Sequence, residues 1–267
     1  MKFFQTVYNV NNTPEEAAIA AKYDLLIVKQ TPLSGGSSYT QFMQWLGMLK
    51  SMKPTIKIMS YMIVAQEPGF FAPGVGNSII MNWPAYAPYA QEPWLMTPTG
   101  DIAAITEDWK VRRLFDYRKN VWKDLFKQAV TTIMNSYPFD GLFFDNCTAS
   151  WAKHVPNQSA LTAALQQILL DIRHIYPDKW FIGNCVENWM GLNGEMNEGR
   201  PNQAAELDPT NGQIVPNLNL YYMPATVNTT DAEYTAGWNV AKAHGCLFGC
   251  YDPARPTFYP SIFDSLT

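Results

Sequence analysis

Histidine is scarce in this chain, charge is thin, and cysteine never occurs in a metal-binding pair. Three histidines, His154, His174 and His244, stand far apart along 267 residues, and the four cysteines form no CxxC. Zinc-ligand spacing is therefore absent, as is an HExxH helix. Cys246 and Cys250 fall on one apolar segment, about 13 Å apart at roughly 3.3 Å per strand residue, too far for a disulfide. Free thiols buried in or beside a core are the expectation for them, as for Cys147 and Cys185. Neither GxGxxG nor a Walker A loop occurs, and no GxSxG elbow, which removes the usual signs of dinucleotide, nucleotide and serine-hydrolase sites. No metal and no cofactor are expected.

Charged residues make up only 16% of the chain, the net charge is −4, and no basic run exceeds Arg112-Arg113. A nucleic-acid partner would need a concentrated basic face, so that class is excluded. No apolar run approaches the roughly 18 residues of a membrane span. The first eight residues, MKFFQTVY, turn polar too soon for a signal peptide. The expectation is a chain made in the cytoplasm, with its site of action open: virion-associated, or extracellular after lysis.

What is abundant is apolar and aromatic. Hydrophobic residues reach 47%, with nine Trp and fourteen Tyr. Core packing accounts for much of this, and a groove that stacks sugar rings uses the same residues. Short apolar runs alternate with amphipathic segments from end to end. Strands are read at residues 2–8, 24–29, 56–64, 142–145, 180–185, 195–198, 218–223 and 246–251. Helices are read between them, one opened by the Thr13-Pro14-Glu15-Glu16 cap and another by the Thr230-x-x-Glu233 capping box. Continuous apolar strands in βα order predict a parallel sheet covered on both faces. The fold class expected is α/β, a (β/α)₈ TIM barrel in one domain over residues 1–267. Residues 65–116, rich in Pro, Gly and aromatics, form a long excursion after the third strand.

An acid directly after an apolar strand sits at the strand's C-terminal end, where the functional groups of such barrels converge. Phe139-Asp140-Gly141-Leu142-Phe143-Phe144-Asp145-Asn146 is the clearest instance, and Asp145 the leading candidate. A carboxylate beside Phe143 and Phe144 is costly to bury without partners or a task. Asp140, in an Asp-Gly turn at the opposite end, is assigned no catalytic role.

Three segments, Trp94-Leu95-Met96-x-x-x-Gly100, Asp116-Tyr117-Arg118-x-x-x-Trp122 and the stretch from Phe139 to Asn146, together resemble α-amylase-like barrel hydrolases, in particular glycosyl-hydrolase-like family 15. The likeness continues through Phe181-Ile182-Gly183-Asn184 and Asn193-Gly194-Glu195-Met196-Asn197-Glu198. It spans roughly residues 55–200, with Asn193 where the family pattern often has Asp. The resemblance implies glycoside hydrolysis by two carboxyl groups, one ionised and one proton-donating. Asp145 would be nucleophile or stabiliser and Glu198 the acid/base, because Glu198 falls on the family-like motif. Glu187, directly after the fifth strand, is held in reserve. Amylase-like relatives imply retention of configuration.

Tyr61, Asn146, Asn184 and Tyr222 are candidates to hydrogen-bond sugar hydroxyls. Trp94, Trp151 and Trp189, with Trp83, are loop residues able to stack sugar rings, and Asp252 is a further rim carboxylate. The expected partner is a carbohydrate, with the 65–116 segment as a surface for protein assembly. The alternative function is a catalytically silent barrel that binds carbohydrate or serves as a structural part of a larger assembly such as a phage virion.

Overall fold

The computed structural model describes residues 2–7, 12–28, 37–64, 95–101, 104–107, 110–148, 157–185, 191–198, 218–251 and 258–266. Eight parallel strands close into a barrel in the order β1 (Phe3–Val7), β2 (Leu25–Val28), β3 (Lys57–Ile63), β6 (Gly141–Asp145), β7 (Trp180–Asn184), β8 (Gly194–Glu198), β9 (Leu220–Pro224), β10 (Leu247–Tyr251), with β10 pairing back to β1. The (β/α)₈ barrel read from the strand pattern is therefore the fold. Helices α1 (Pro14–Ala20), α2 (Ser37–Met52), α3 (Asn120–Ser136), α4 (Gln158–Ile175) and α5 (Asp231–Ala243) lie between strands. Within the excursion after β3, an antiparallel hairpin of β4 (Ala104–Glu107) and β5 (Lys110–Arg113) stands apart from the barrel. Among the described residues no helix is long and apolar enough to cross a membrane.

Local chemistry starts and stops these helices as the sequence suggests. Thr13 Oγ1 accepts from the Glu16 amide with Pro14 opening α1, and Thr230 and Glu233 complete a reciprocal capping box on α5. The seven apolar positions of α3 from Trp122 to Met134 are all buried. Among the described residues the connection from β7 to β8 contains no helix. Arg173 of α4 holds it by donating to the Gly191 carbonyl at 3.0 Å and to Asn193 Oδ1 at 2.7 Å. The Phe181 amide also donates to Asn193 Oδ1, at 2.8 Å.

The register offsets of the eight pairings do not cancel. One circuit of the ring returns to β1 displaced by eight residues, the stagger of a (β/α)₈ barrel. Inward side chains of alternate strands consequently stack in tiers of four. From the lower end these are Leu25, Gly141, Gly194 and Leu247, then Phe4, Met59, Ile182 and Leu220, then Ile27, Phe143, Met196 and Gly249. Their apolar members form one interior cluster, separate from the larger one between barrel and helices. Above them the chemistry changes. The next tier is Thr6, Tyr61, Asn184 and Tyr222, and the uppermost holds Asp145, Glu198 and Tyr251. Its fourth position falls on β2 beyond Val28, outside the described residues.

The lower end is tied by charge. Asp140 takes Lys50 Nζ at 2.9 Å, Lys57 Nζ at 3.1 Å and the Ile58 amide at 2.9 Å. The Asp-Gly turn thus has a structural task, as its position implied.

Candidate active site

Alternation along β6 decides where Asp145 points. Leu142 and Phe144 join the outer cluster and Phe143 the inner one, so Asp145 turns inward, half-buried, at the mouth of the barrel. Three donors meet it. The phenol of Tyr61 donates to Oδ2, and the Asn146 amide and Asn184 Nδ2 each donate to Oδ1 at 2.9 Å. Tyr61 is placed by its ring, which stacks on Phe143 with centroids 5.8 Å apart.

Asn184 ends β7 and is buried. Its single amide nitrogen serves both acids, donating to Asp145 Oδ1 at 2.9 Å and to Glu198 Oε1 at 3.0 Å. Carboxylate oxygens accept and do not donate when ionised, so the NH₂ end of the amide must face them. The thiol of Cys185 closes the other side, 3.8 Å from Asn184 Oδ1. The two bonds from one nitrogen place the accepting oxygens no more than about 6 Å apart, and about 5 Å if each takes its own proton.

The backbone beside these groups is unusual. The residues that follow the two strand ends, Asn146 (φ 51°) and Cys185 (φ 59°), are both left-handed. Asn adopts this region readily and Cys does not. The double turn lets the Cys147 amide donate to the Asn184 carbonyl at 2.8 Å, locking the β6 and β7 ends together.

The mouth therefore gathers Asp145, Glu198, Tyr61, Asn184 and Tyr222 of the residues singled out in the sequence. Tyr222 is buried in the wall, its ring 5.8 Å from Phe4 and 6.2 Å from Tyr251. Asn146 is at the mouth, and its backbone amide makes the contact to Asp145. Glu187, Trp83, Trp94, Trp151, Trp189, Asp252 and most of the 65–116 segment lie outside the described residues. Asn193 is remote from the acids, buried at the lower end of β8. Asp116 and Arg118 form an ion pair, bidentate at 2.8 Å for each bond. Cysteine burial needs one correction. Cys147, Cys246 and Cys250 are buried, but Cys185 is exposed, because the left-handed turn carries it out of the barrel. Among the described residues no three His, Cys, Asp or Glu side chains cluster as metal ligands would.

Two members of the upper tiers, Thr6 and Tyr251, carry little local signal. Thr6 has one signal, a hydroxyl beside Gln5 in a strand whose other residues are apolar. Tyr251 ends an apolar strand as a core residue would, next to the more conspicuous Asp252.

No protein-family model matches the sequence and no curated protein resembles it, so the narrower likeness to glycosyl-hydrolase-like family 15 rests on its motifs alone. Solved structures do match. The glycoside hydrolase domain of PelA from Pseudomonas aeruginosa superimposes with a TM-score of 0.63 at 13% identity, over 94% of this chain and 95% of that one. An α-galactosidase from Thermus thermophilus, solved with p-nitrophenyl α-D-galactopyranoside, gives 0.64 at 9% identity, over 99% of this chain and 60% of that one. The maltogenic α-amylase AmyB from Thermotoga neapolitana gives 0.58 at 8%, over 98% and 74%. The chain thus shares the barrel fold of glycoside hydrolases.

Proposed function

We propose that this protein is a glycoside hydrolase whose reacting pair is Asp145 and Glu198, working with retention of configuration. The observation that carries the reading is the Asn184 amide, which holds an oxygen of each acid at 2.9 and 3.0 Å. A spacing of about 5–5.5 Å between carboxyl groups belongs to retaining enzymes, and one of about 6.5–9.5 Å leaves room for the water of an inverting one. The short bridge favours the first. Folds of this kind host many chemistries, so the site and not the barrel bears the argument.

Asp145 is the nucleophile. Every contact named for it is a donor, which suits an ionised carboxylate that accepts on both oxygens. It attacks the anomeric carbon while Glu198, more exposed, gives its proton to the departing oxygen. In the second half Glu198 takes a proton from water, whose oxygen displaces Asp145 from the sugar.

The test is a panel of soluble glucans, galactans and N-acetylhexosamine polymers assayed for new reducing ends. Asp145→Asn and Glu198→Gln are the controls, and NMR of the first-formed anomer reads the stereochemistry. Release by the wild type that both variants lose supports the reading. Undiminished release by Asp145→Asn overturns it.

A further inference from the structure

The acids occupy one side of the mouth, and the opposite side has its own composition. In a closed ring of eight strands, β10 lies diametrically across from β6. Tyr251, in the same tier as Asp145, therefore faces it over the opening. Its ring is partly exposed, packs on the interior cluster, and lies nearly parallel to that of Tyr222, with 20° between planes at 6.2 Å. Tyr222 is itself backed by the Phe4 ring. Phe4 reaches that position because Gly249 has no side chain: a Cβ there would lie 2.6 Å from the Phe4 ring. Three rings thus brace a flat surface that ends, at the open side, in Tyr251.

A second observation comes from the strand beside it. Thr6 faces inward one tier lower, and its Oγ1 is buried with no hydrogen-bond partner among the described residues. A buried hydroxyl without a partner is a net cost to a fold. Continuing the Phe4–Gly249 register along β1 and β10 sets Thr6 beside Tyr251 on the adjoining strand.

We propose that Tyr251 is the platform on which a pyranose ring lies between this wall and Asp145, and that a hydroxyl of the bound sugar is the hydrogen-bond partner of Thr6 Oγ1. The placement rests on the carbohydrate reading above. It adds the ligand's shape: one ring with an apolar face towards β10 and a hydroxyl directed down towards β1. In a (β/α)₈ barrel the C-terminal face, above the packed tiers, is where such sites are built.

The experiment uses Tyr251→Leu, Tyr251→Gln, Tyr251→Phe and Thr6→Val in the full chain, with the polymer panel and its short oligosaccharides as probes. With an active wild type, Tyr251→Leu and Tyr251→Gln should raise KM roughly tenfold with kcat within about threefold, while Tyr251→Phe stays near wild type. Thr6→Val should raise KM about threefold to tenfold while its unfolding midpoint holds or rises, which a merely structural threonine would not do. An unchanged KM in folded Tyr251→Leu and Tyr251→Gln overturns the inference and leaves the hydrolase reading standing. If the wild type turns nothing over, calorimetric binding of the oligosaccharides decides. Binding that Tyr251→Leu abolishes keeps the platform and removes catalysis; no binding by any form of the protein removes both.

Discussion

Asn184 donates from Nδ2 to Glu198 Oε1 across 3.0 Å, from the end of one barrel strand to the end of the next. The same nitrogen reaches Asp145, so a neutral side chain separates two acids that would otherwise confront each other directly. If the pair reacts as proposed, Asn184 is the residue that sets their spacing. Asn184→Ala should lower kcat by about 10²–10³-fold with KM little changed, the cost typical of losing one preorganised donor. Steady-state kinetics beside a circular-dichroism melt would show it; activity within threefold of wild type counts against the bridge.

Tyr61 offers a cleaner dissection. Its ring stacks on Phe143 while its hydroxyl serves Asp145 Oδ2. Tyr61→Phe keeps the first and removes the second. A hydrogen bond to a charged acceptor is worth roughly 1.5–3 kcal/mol, which corresponds to a kcat loss of about tenfold or more. The thermal midpoint should move little. A large drop in stability with unaltered kcat would mean that the hydroxyl acts on the fold alone.

Acid should also destabilise the other end of the barrel. Burial pushes the Asp140 carboxyl up, but hydrogen bonds from Lys50, the Ile58 amide and Lys57 outweigh it and hold the group below the ordinary value of 3.8. A carboxyl depressed on folding adds stability above its unfolded value and forfeits it as pH falls through the folded one. Asp140→Asn should therefore cost about 1–3 kcal/mol near pH 7, and urea titrations should show the gap to wild type narrowing below about pH 4. A gap equally wide at pH 7 and at pH 3 would contradict this account.

Gly141, which follows Asp140 and opens β6, is needed for a reason unrelated to turn freedom. A Cβ there would lie 1.8 Å from the Trp180 carbonyl oxygen on β7. The obstacle is backbone of the neighbouring strand, which cannot swing aside. Gly141→Ala should destabilise by about 3 kcal/mol or more, or prevent folding. A melt within two degrees of wild type would show that β6 and β7 can part at no cost.

Much of this protein was legible along the chain. Apolar runs of strand length separated by amphipathic segments specify parallel strands under helices, because burial on both faces demands it. The same logic marks Asp145, since an acid at the end of a run such as Leu142–Phe144 can only emerge at the strand's C-terminal rim. Tertiary structure alone decided which rim residues meet. Asp145, Asn184 and Glu198 come together because the barrel staggers its strands by eight residues per circuit, and no local pattern encodes that stagger. The tier that places Thr6 beside the site, and Tyr251 opposite Asp145, has the same origin. Hydrophobic periodicity tells each residue which side of its strand to face; closure of the sheet chooses its neighbours.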